Sequence, residues 1–257
     1  AALLAHTVSN EGTIKAVKGT IELVGGDAFN INLNGNSLVN LTVTKGVLDA
    51  LVENKGALIA NGGEIYLTTN AVNDPLKGVV NNTGIIEAQT LDDVTGKIEL
   101  YAHGGEVKVG GTITTGAGEG FVETSGQTFS IDPSASIITG SWLLDPVSIT
   151  IDSTLASAIM SALGSGDVTI STDGGNTPST SSGESGSAGD INVNFAITWS
   201  TAQKLTLSAS NNIYINADIT IQNVAGELTL YYGQGAPSAN NLSDYILSGK
   251  IKTINGN

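Results

Sequence analysis

The chain has 257 residues, 40% of them hydrophobic and 5% aromatic, with 33 glycines; short apolar alternation on that scale buries a core and excludes disorder. Formal net charge is −14 and all ten basic residues are lysines, so the basic clusters and guanidinium forks of nucleic-acid binders are missing and binding to an anionic membrane is disfavoured. With no cysteine and no apolar run of membrane-spanning length, a disulfide framework, a thiolate metal site, a thiol nucleophile and membrane insertion by a helix are excluded.

The opening AALLAHTVSN lacks a basic region followed by a long apolar core, which predicts a start within the mature body of a longer protein or after processing. From Asn10 the sequence writes one unit three times: NEGTIKAVKGTIEL, then NKGALIANGGEIYL from Asn54, then NTGIIEA…TGKIEL from Asn82. Each reads Asn-x-Gly, a short apolar alternation, a small residue and Gly-x-Ile-x-Leu. Degenerate self-similarity on a scale of tens of residues is the signature of stacked repeats. Residues 10–140 are almost wholly short alternating segments such as TIKA, TIEL, FNINL, EIYLTT, KIEL and EVKV, bounded by Gly, Asn or Asp. Period two places one set of side chains inward and the other outward. Helical periodicity is missing there, and no strong two-residue hairpin signal joins matching long strands.

These features predict an all-β parallel solenoid. With ~20 residues per coil, the interval from Asn10 to Asn54 reads as two coils. That from Asn54 to Asn82 reads as one coil with an insertion at AVNDPLKG, where Asn73-Asp74-Pro75 breaks the strand. Roughly a dozen coils at ~4.8 Å each give a shaft on the order of 55 Å. Asn10, Asn54 and Asn82 are expected at one turn, with Gly12, Gly56 and Gly84 beside them at a positive-φ position.

Asp152–Leu163 breaks the pattern. Leu155, Ala158, Ile159, Ala162 and Leu163 fall at i, i+3, i+4, i+7 and i+8, which predicts a short amphipathic helix covering apolar core. Asp152 or Ser153 caps its start and Gly164 ends it. Residues 173–189, DGGNTPSTSSGESGSAG, read as an exposed flexible loop. The strand alphabet then returns as GDINVN, AITW, KLTLSA, NIYINADITI and ELTLYY. The expected organisation is a β-helix over 1–151, helix and loop as decorations over 152–189, and a continuing β-helix over 190–257.

In order, these strings resemble the filamentous haemagglutinin family, the large exoproteins of Gram-negative two-partner secretion. The resemblance rests on the Asn-x-Gly-x-Ile-x-Ala units, on HGGEVKVGGTI from His103, GFVETSG from Gly120 and SWLLDPVSITID from Ser141, and on the later SALGSGDVTIST, GDINVN, AITW, KLTLSA and NIYINADIT. It covers nearly all of the chain. It implies a right-handed parallel β-helix and a protein that is an adhesin or a toxin-delivery stalk. It also implies a location outside the cell or at the bacterial surface, export of the full-length protein by an outer-membrane transporter, and a host-cell or surface receptor as partner. The Asn-Pro-Asn-Gly signature that such transporters recognise is absent, so no recognition residue and no binding site transfers.

Candidates for chemistry are few. A polysaccharide lyase or hydrolase on a β-helix needs paired carboxylates on one face. Asp92, Asp93, Asp132, Asp145 and Asp173 are candidates, best explained as solvated turn residues; Asp92-Asp93 suits a turn because adjacent strand residues point to opposite faces. His6 and His103 are the only histidines, and YAHGGEV places His103 in a turn. Asp173-Gly-Gly-Asn176 lacks the spaced acidic ligands of a calcium loop. No cofactor and no metal site is expected.

Trp142 and Trp199 read as interior. Tyr231 and Tyr232 end a strand, so one ring faces outward and supplies the best surface for stacking on a glycan. Asn40, Asn81 and Asn241 match the N-glycosylation acceptor pattern, which an Asn/Thr-rich chain also produces by chance. The Thr-x-Thr at Thr42–Thr44 and the run Thr112–Thr115 do not recur, against an ice-binding face. The expectation is a non-enzymatic shaft or adhesive segment. Its rivals are a polysaccharide-acting enzyme and a passive spacer carrying a binding or toxic end located elsewhere.

Overall fold

The computed structural model describes residues 1–32, 40–46, 49–70, 78–172, 189–235 and 242–254. It is mostly β, with parallel sheets and one α-helix among the described residues. The chain divides into two compact units, Ala1–Gly140 and Ser141–Asn257.

Unit 1 advances in steps of three strands. The first step is β1 (Ala2–Ala5), β2 (Thr7–Asn10) and β3 (Thr13–Lys15). β4 (Thr20–Gly25) opens the second; after an antiparallel pair, β5 (Ala28–Asn32) and β6 (Asn40–Lys45), it resumes with β7 (Leu51–Asn54) and β8 (Ala57–Ile59). The third is β9 (Glu64–Asn70), β10 (Val79–Asn82) and β11 (Ile85–Glu87). The fourth is β12 (Lys97–Val109) and β13 (Thr112–Thr114), and the fifth is β14 (Phe121–Ile131) and β15 (Ser136–Ile138). A register break between Ala102 and Glu106 lets β12 serve two columns: its first half pairs with β9 and its second with β10. The second half of β14 likewise pairs with the second half of β12, so the three columns are β1–β4–β9–β12–β14, β2–β7–β10–β12–β14 and β3–β8–β11–β13–β15, all parallel.

Unit 2 repeats the scheme. β16 (Ser141–Pro146), β17 (Ile149–Ile151) and α1 (Ser153–Ala162) precede β18 (Asp167–Ser171), β19 (Ile191–Val193) and β20 (Ile197–Trp199). Then come β21 (Lys204–Ser208), β22 (Ile213–Ile215) and β23 (Ile219–Ile221), and finally β24 (Glu227–Tyr231), β25 (Tyr245–Leu247) and β26 (Ile251–Thr253). Its columns run β16–β18–β21–β24, β17–β19–β22–β25 and β20–β23–β26. In chain order α1 occupies the third-strand place of the first step, and it packs against β17, β18 and β20.

Alternation sets the core. Ile21, Leu23, Ile65, Leu67, Ile98, Leu100 and Val122 are fully buried in the first column of unit 1, as are Val168, Ile170, Leu205 and Leu207 in that of unit 2. The helix caps as expected: the Asp152 carboxylate accepts from Thr154 N–H at 2.9 Å and Leu155 N–H at 3.0 Å. Leu155, Ile159, Ala162 and Leu163 are buried, with Ala156 in the place expected of Ala158.

Three expectations need correction. Asn10 pairs directly with Asn54, 44 residues on, and Asn54 with Asn82, 28 residues on. The first interval is therefore one step, its extra length holding the antiparallel β5–β6 pair rather than a second coil; the expected insertion at Asn73-Asp74-Pro75 lies outside the described residues. Among the described residues the steps number five in unit 1 and four in unit 2 instead of roughly a dozen, because most of them consume more chain than ~20 residues.

The third concerns glycine. Gly12, Gly56 and Gly84 do not lie in the left-handed region; of that column only Gly111 does, at φ 61°. Glycine is needed for close approach: a Cβ on Gly56 would sit 2.0 Å from the Gly12 oxygen, and one on Gly84 2.1 Å from that of Gly56. Those same oxygens accept 2.8 Å bonds from Ala57 and Ile85 N–H.

Candidate functional surfaces

The repeated asparagines are structural. The Asn10 amide donates to Asn54 Oδ1 at 2.8 Å, Asn54 to Asn82 Oδ1 at 2.8 Å, and Asn82 to the Gly110 carbonyl at 2.7 Å. Asn54 and Asn82 are fully buried. The ladder satisfies amide groups at the corner between the second and third columns, and it presents nothing to a ligand.

The aromatic candidates are exposed. Tyr231 and Tyr232 are 50% and 40% accessible. Tyr245, on β25, brings its ring to within 5.6 Å of Tyr232 at an interplanar angle of 55°. Sequence reasoning missed Tyr245, whose signal lay in the register: it follows Ile213 in a column of inward isoleucines. Trp142 is buried, and Trp199 is buried with its indole donating to the Gln203 carbonyl at 2.9 Å.

Among the described residues the candidate aspartates form no acidic cluster. Asp92 and Asp93 occupy a turn at φ 49° and 65°, closed by a Leu91–Val94 bridge, and Asp92 pairs with Lys18 at 2.6 Å. Asp132 accepts from Ser134 N–H and hydroxyl in another turn, bonds that hold its carboxyl below the usual range. Asp145 lies in β16, and Asp173 and Asn176 fall outside the described residues.

His103 differs from its expected turn placement. It lies in β12 opposite Asn70 and meets the Tyr101 ring edge-on at 4.0 Å, with burial pushing its pKa down to about 4. His6 lies elsewhere, between β1 and β2. Among the described residues no three His, Cys, Asp or Glu side chains are grouped to hold a metal ion. No helix there is long and apolar enough to cross a membrane.

Of the acceptor asparagines, Asn81 lies in β10 and donates to Glu53 Oε1 at 3.1 Å. Asn40 begins β6, and Asn241 falls outside the described residues.

A cluster that sequence reasoning missed lies on the outer face of the first column of unit 1. Glu22, Tyr66, Glu99 and Glu123 stand in register on β4, β9, β12 and β14, beside a second row of Thr20, Glu64, Lys97 and Phe121. The Tyr66 hydroxyl donates to Glu64 at 2.8 Å; Lys97 pairs with Glu99 at 2.9 Å and lies 5.2 Å from the Tyr66 ring centre. Burial raises the Tyr66 phenol well above its ordinary value, helped by the Glu64 bond. Glu22 and Glu123 are 4% and 6% accessible. Superposing TIEL, EIYL, KIEL and FVET on their shared inward residue reveals this row, but only once the register is known.

No protein-family model matches the chain, and no curated protein matches it.

Proposed function

We propose that the chain is a right-handed parallel β-helix acting as a non-enzymatic shaft and adhesive segment of a secreted or surface-held bacterial exoprotein. The observation that carries this reading is the in-register stacking of three parallel columns in each unit, with fully buried isoleucine, leucine and valine inside. Right-handed crossover is the strong preference for parallel strands joined this way. Stacks of short steps give stiffness without disulfides, and each step offers an edge on which the next can form outside the cell. Export by a two-partner transporter rests on the sequence resemblance to filamentous haemagglutinins.

Adhesion is assigned to the exposed rings of Tyr231, Tyr232 and Tyr245, because aromatic faces stack on sugar rings. The carboxylate row does not favour an enzyme acting on polysaccharide. Glycoside hydrolysis needs two carboxyl groups open to one glycosidic bond, and Glu22 and Glu123 are both buried. The test is binding of the purified chain to glycan arrays and host cells, alongside a Tyr231→Ala/Tyr232→Ala double variant. Retention by the parent chain and loss in the variant is the expected result. Equal, background-level signal from both overturns direct adhesion and leaves the passive spacer.

A further inference from the structure

The carboxylate row on the outer face of unit 1 concentrates like charge where the described residues offer little to offset it. Glu22 is 4% accessible and its Oε2 accepts no hydrogen bond. Parallel strands lie ~4.8 Å apart, so Glu99 and Glu123, in register on neighbouring strands, are forced close together.

The groups around the row are few. The residue before β1 brings the Ala1 amino group; β9 brings Glu64 and Tyr66; β12 brings Lys97, Glu99, Tyr101 and His103; β14 brings Glu123. β6, which also packs on β9, has Lys45 as its only ionisable residue. Lys97 is already engaged by Glu99 and the Tyr66 ring. A proton on Glu22 therefore removes a buried charge at small cost, whereas an ionised Glu22 leaves one without a hydrogen-bond donor at Oε2.

We propose that Glu22 and Glu123 are a proton-operated clasp in unit 1, closing the outer face of its first column when protonated and loosening it when ionised. Burial raises Glu22 to about 7, opposed by the Ala1 amino group and reinforced by Glu64. Burial, and then the Glu99 charge, raise Glu123 against the 2.9 Å bond it accepts from the Ser125 hydroxyl and the charge of Lys97. A carboxyl whose folded pKa is raised binds its proton more tightly in the native state. Its stabilisation is complete below the ordinary value of 4.5 and is lost as pH rises through about 7. The clasp thus favours mildly acidic surroundings.

The experiment follows unfolding of the full chain by heat from about pH 5 to about pH 8, the interval spanned by the shift, in the parent and in Glu22→Gln and Glu123→Gln. Glutamine copies the shape of the protonated acid, so the net charge of −14 acts almost alike on all three. Relative to Glu22→Gln, the parent midpoint should fall by roughly 3–8 °C across that range. The comparison is differential because His103, held neutral with its pKa down at about 4, makes both proteins more stable as pH rises toward its ordinary value of 6.5. Hydrogen exchange, corrected for intrinsic rates, should show β4 and β14 amides losing protection with rising pH in the parent but not in the variants. A parent and variants that keep the same dependence of midpoint on pH would overturn the proposal. If a variant fails to fold, carbon-13 titration of the parent's Glu22 carboxyl decides: a midpoint at the ordinary glutamate value refutes the clasp.

Discussion

Asn54 illustrates how a side chain common in loops becomes an interior strut. Its amide accepts from Asn10, donates to Asn82 and reaches the Ile85 carbonyl at 3.2 Å, all while fully buried. Asn54→Ala removes these bonds, strands the Asn82 acceptor away from water, and leaves the Asn10 amide only its longer bonds to the Gly12 and Ala57 carbonyls at 3.2 and 3.4 Å. A buried unsatisfied group costs about 1–3 kcal/mol, so the expected loss is roughly 2–4 kcal/mol by urea unfolding. Asn10→Ala, which breaks one amide–amide bond where Asn54→Ala breaks two, should cost about half as much. Equal losses at the two positions would show that the ladder is not what holds the corner.

The neighbouring glycines give a sharper residue-scale contrast. A Cβ at Gly12 meets nothing within 4 Å, whereas one at Gly56 meets the Gly12 oxygen at 2.0 Å. Gly12→Ala should therefore stay within about 0.5 kcal/mol of the parent, and Gly56→Ala should lose more than ~2 kcal/mol as the step is pushed off its neighbour. The Asn-x-Gly motif was legible as a turn marker because Asn and Gly are turn residues. Its second meaning, contact between successive steps, was not legible. A single sequence shows which residues tolerate an unusual φ but not which backbone lies against them.

At the scale of elements, the strands and the helix were legible because each has a period of its own. TIEL, EIYL and KIEL alternate, and Leu155, Ile159 and Ala162 do not. The antiparallel β5–β6 pair was missed, because the expectation of uniform coils absorbed FNINL and LVNLTV into an extra one. The acidic row and Tyr245 were hidden for a related reason: each is made of residues ordinary in their own strand and brought together only by register.

The helix yields its own prediction. Asp152 holds two N–H groups that would otherwise lack partners, so Asp152→Ala should cost about 1 kcal/mol. Asp152→Asn, which keeps the acceptor, should cost much less, as read from unfolding of the full chain. Because α1 packs on β17, β18 and β20, hydrogen exchange should show the loss in unit 2 amides. Loss of protection confined to unit 1 would contradict the placement of the helix.

At the scale of the whole molecule, stability in such stacks is a sum of step and interface contributions, so a step whose apolar side chains are partly covered is held less firmly than one whose side chains are fully covered. Unit 2 shows the gradient directly. Leu205, Leu207, Ile213, Ile215 and Ile219 are fully buried, while their successors in the columns are not: Tyr245, Leu247 and Ile251 are 47%, 49% and 38% accessible, and Leu228 and Leu230 are half-buried. Side-chain bonding between steps does not thin with it: Asp190 takes the Asn212 N–H, Asn212 takes the Asp244 N–H, and Asp218 takes the Lys250 N–H and pairs with Lys252 at 2.6 Å, so the steps differ in apolar burial. Amides of β24, β25 and β26 should accordingly exchange by local opening at free energies well below the global value, and those of β18, β19 and β21 close to it. A step-by-step rise in protection from β25 through β22 to β19 is the expected pattern. Uniform protection across the three would mean that unit 2 opens as one block, and that the step of β24, β25 and β26 is as firmly held as the fully buried ones.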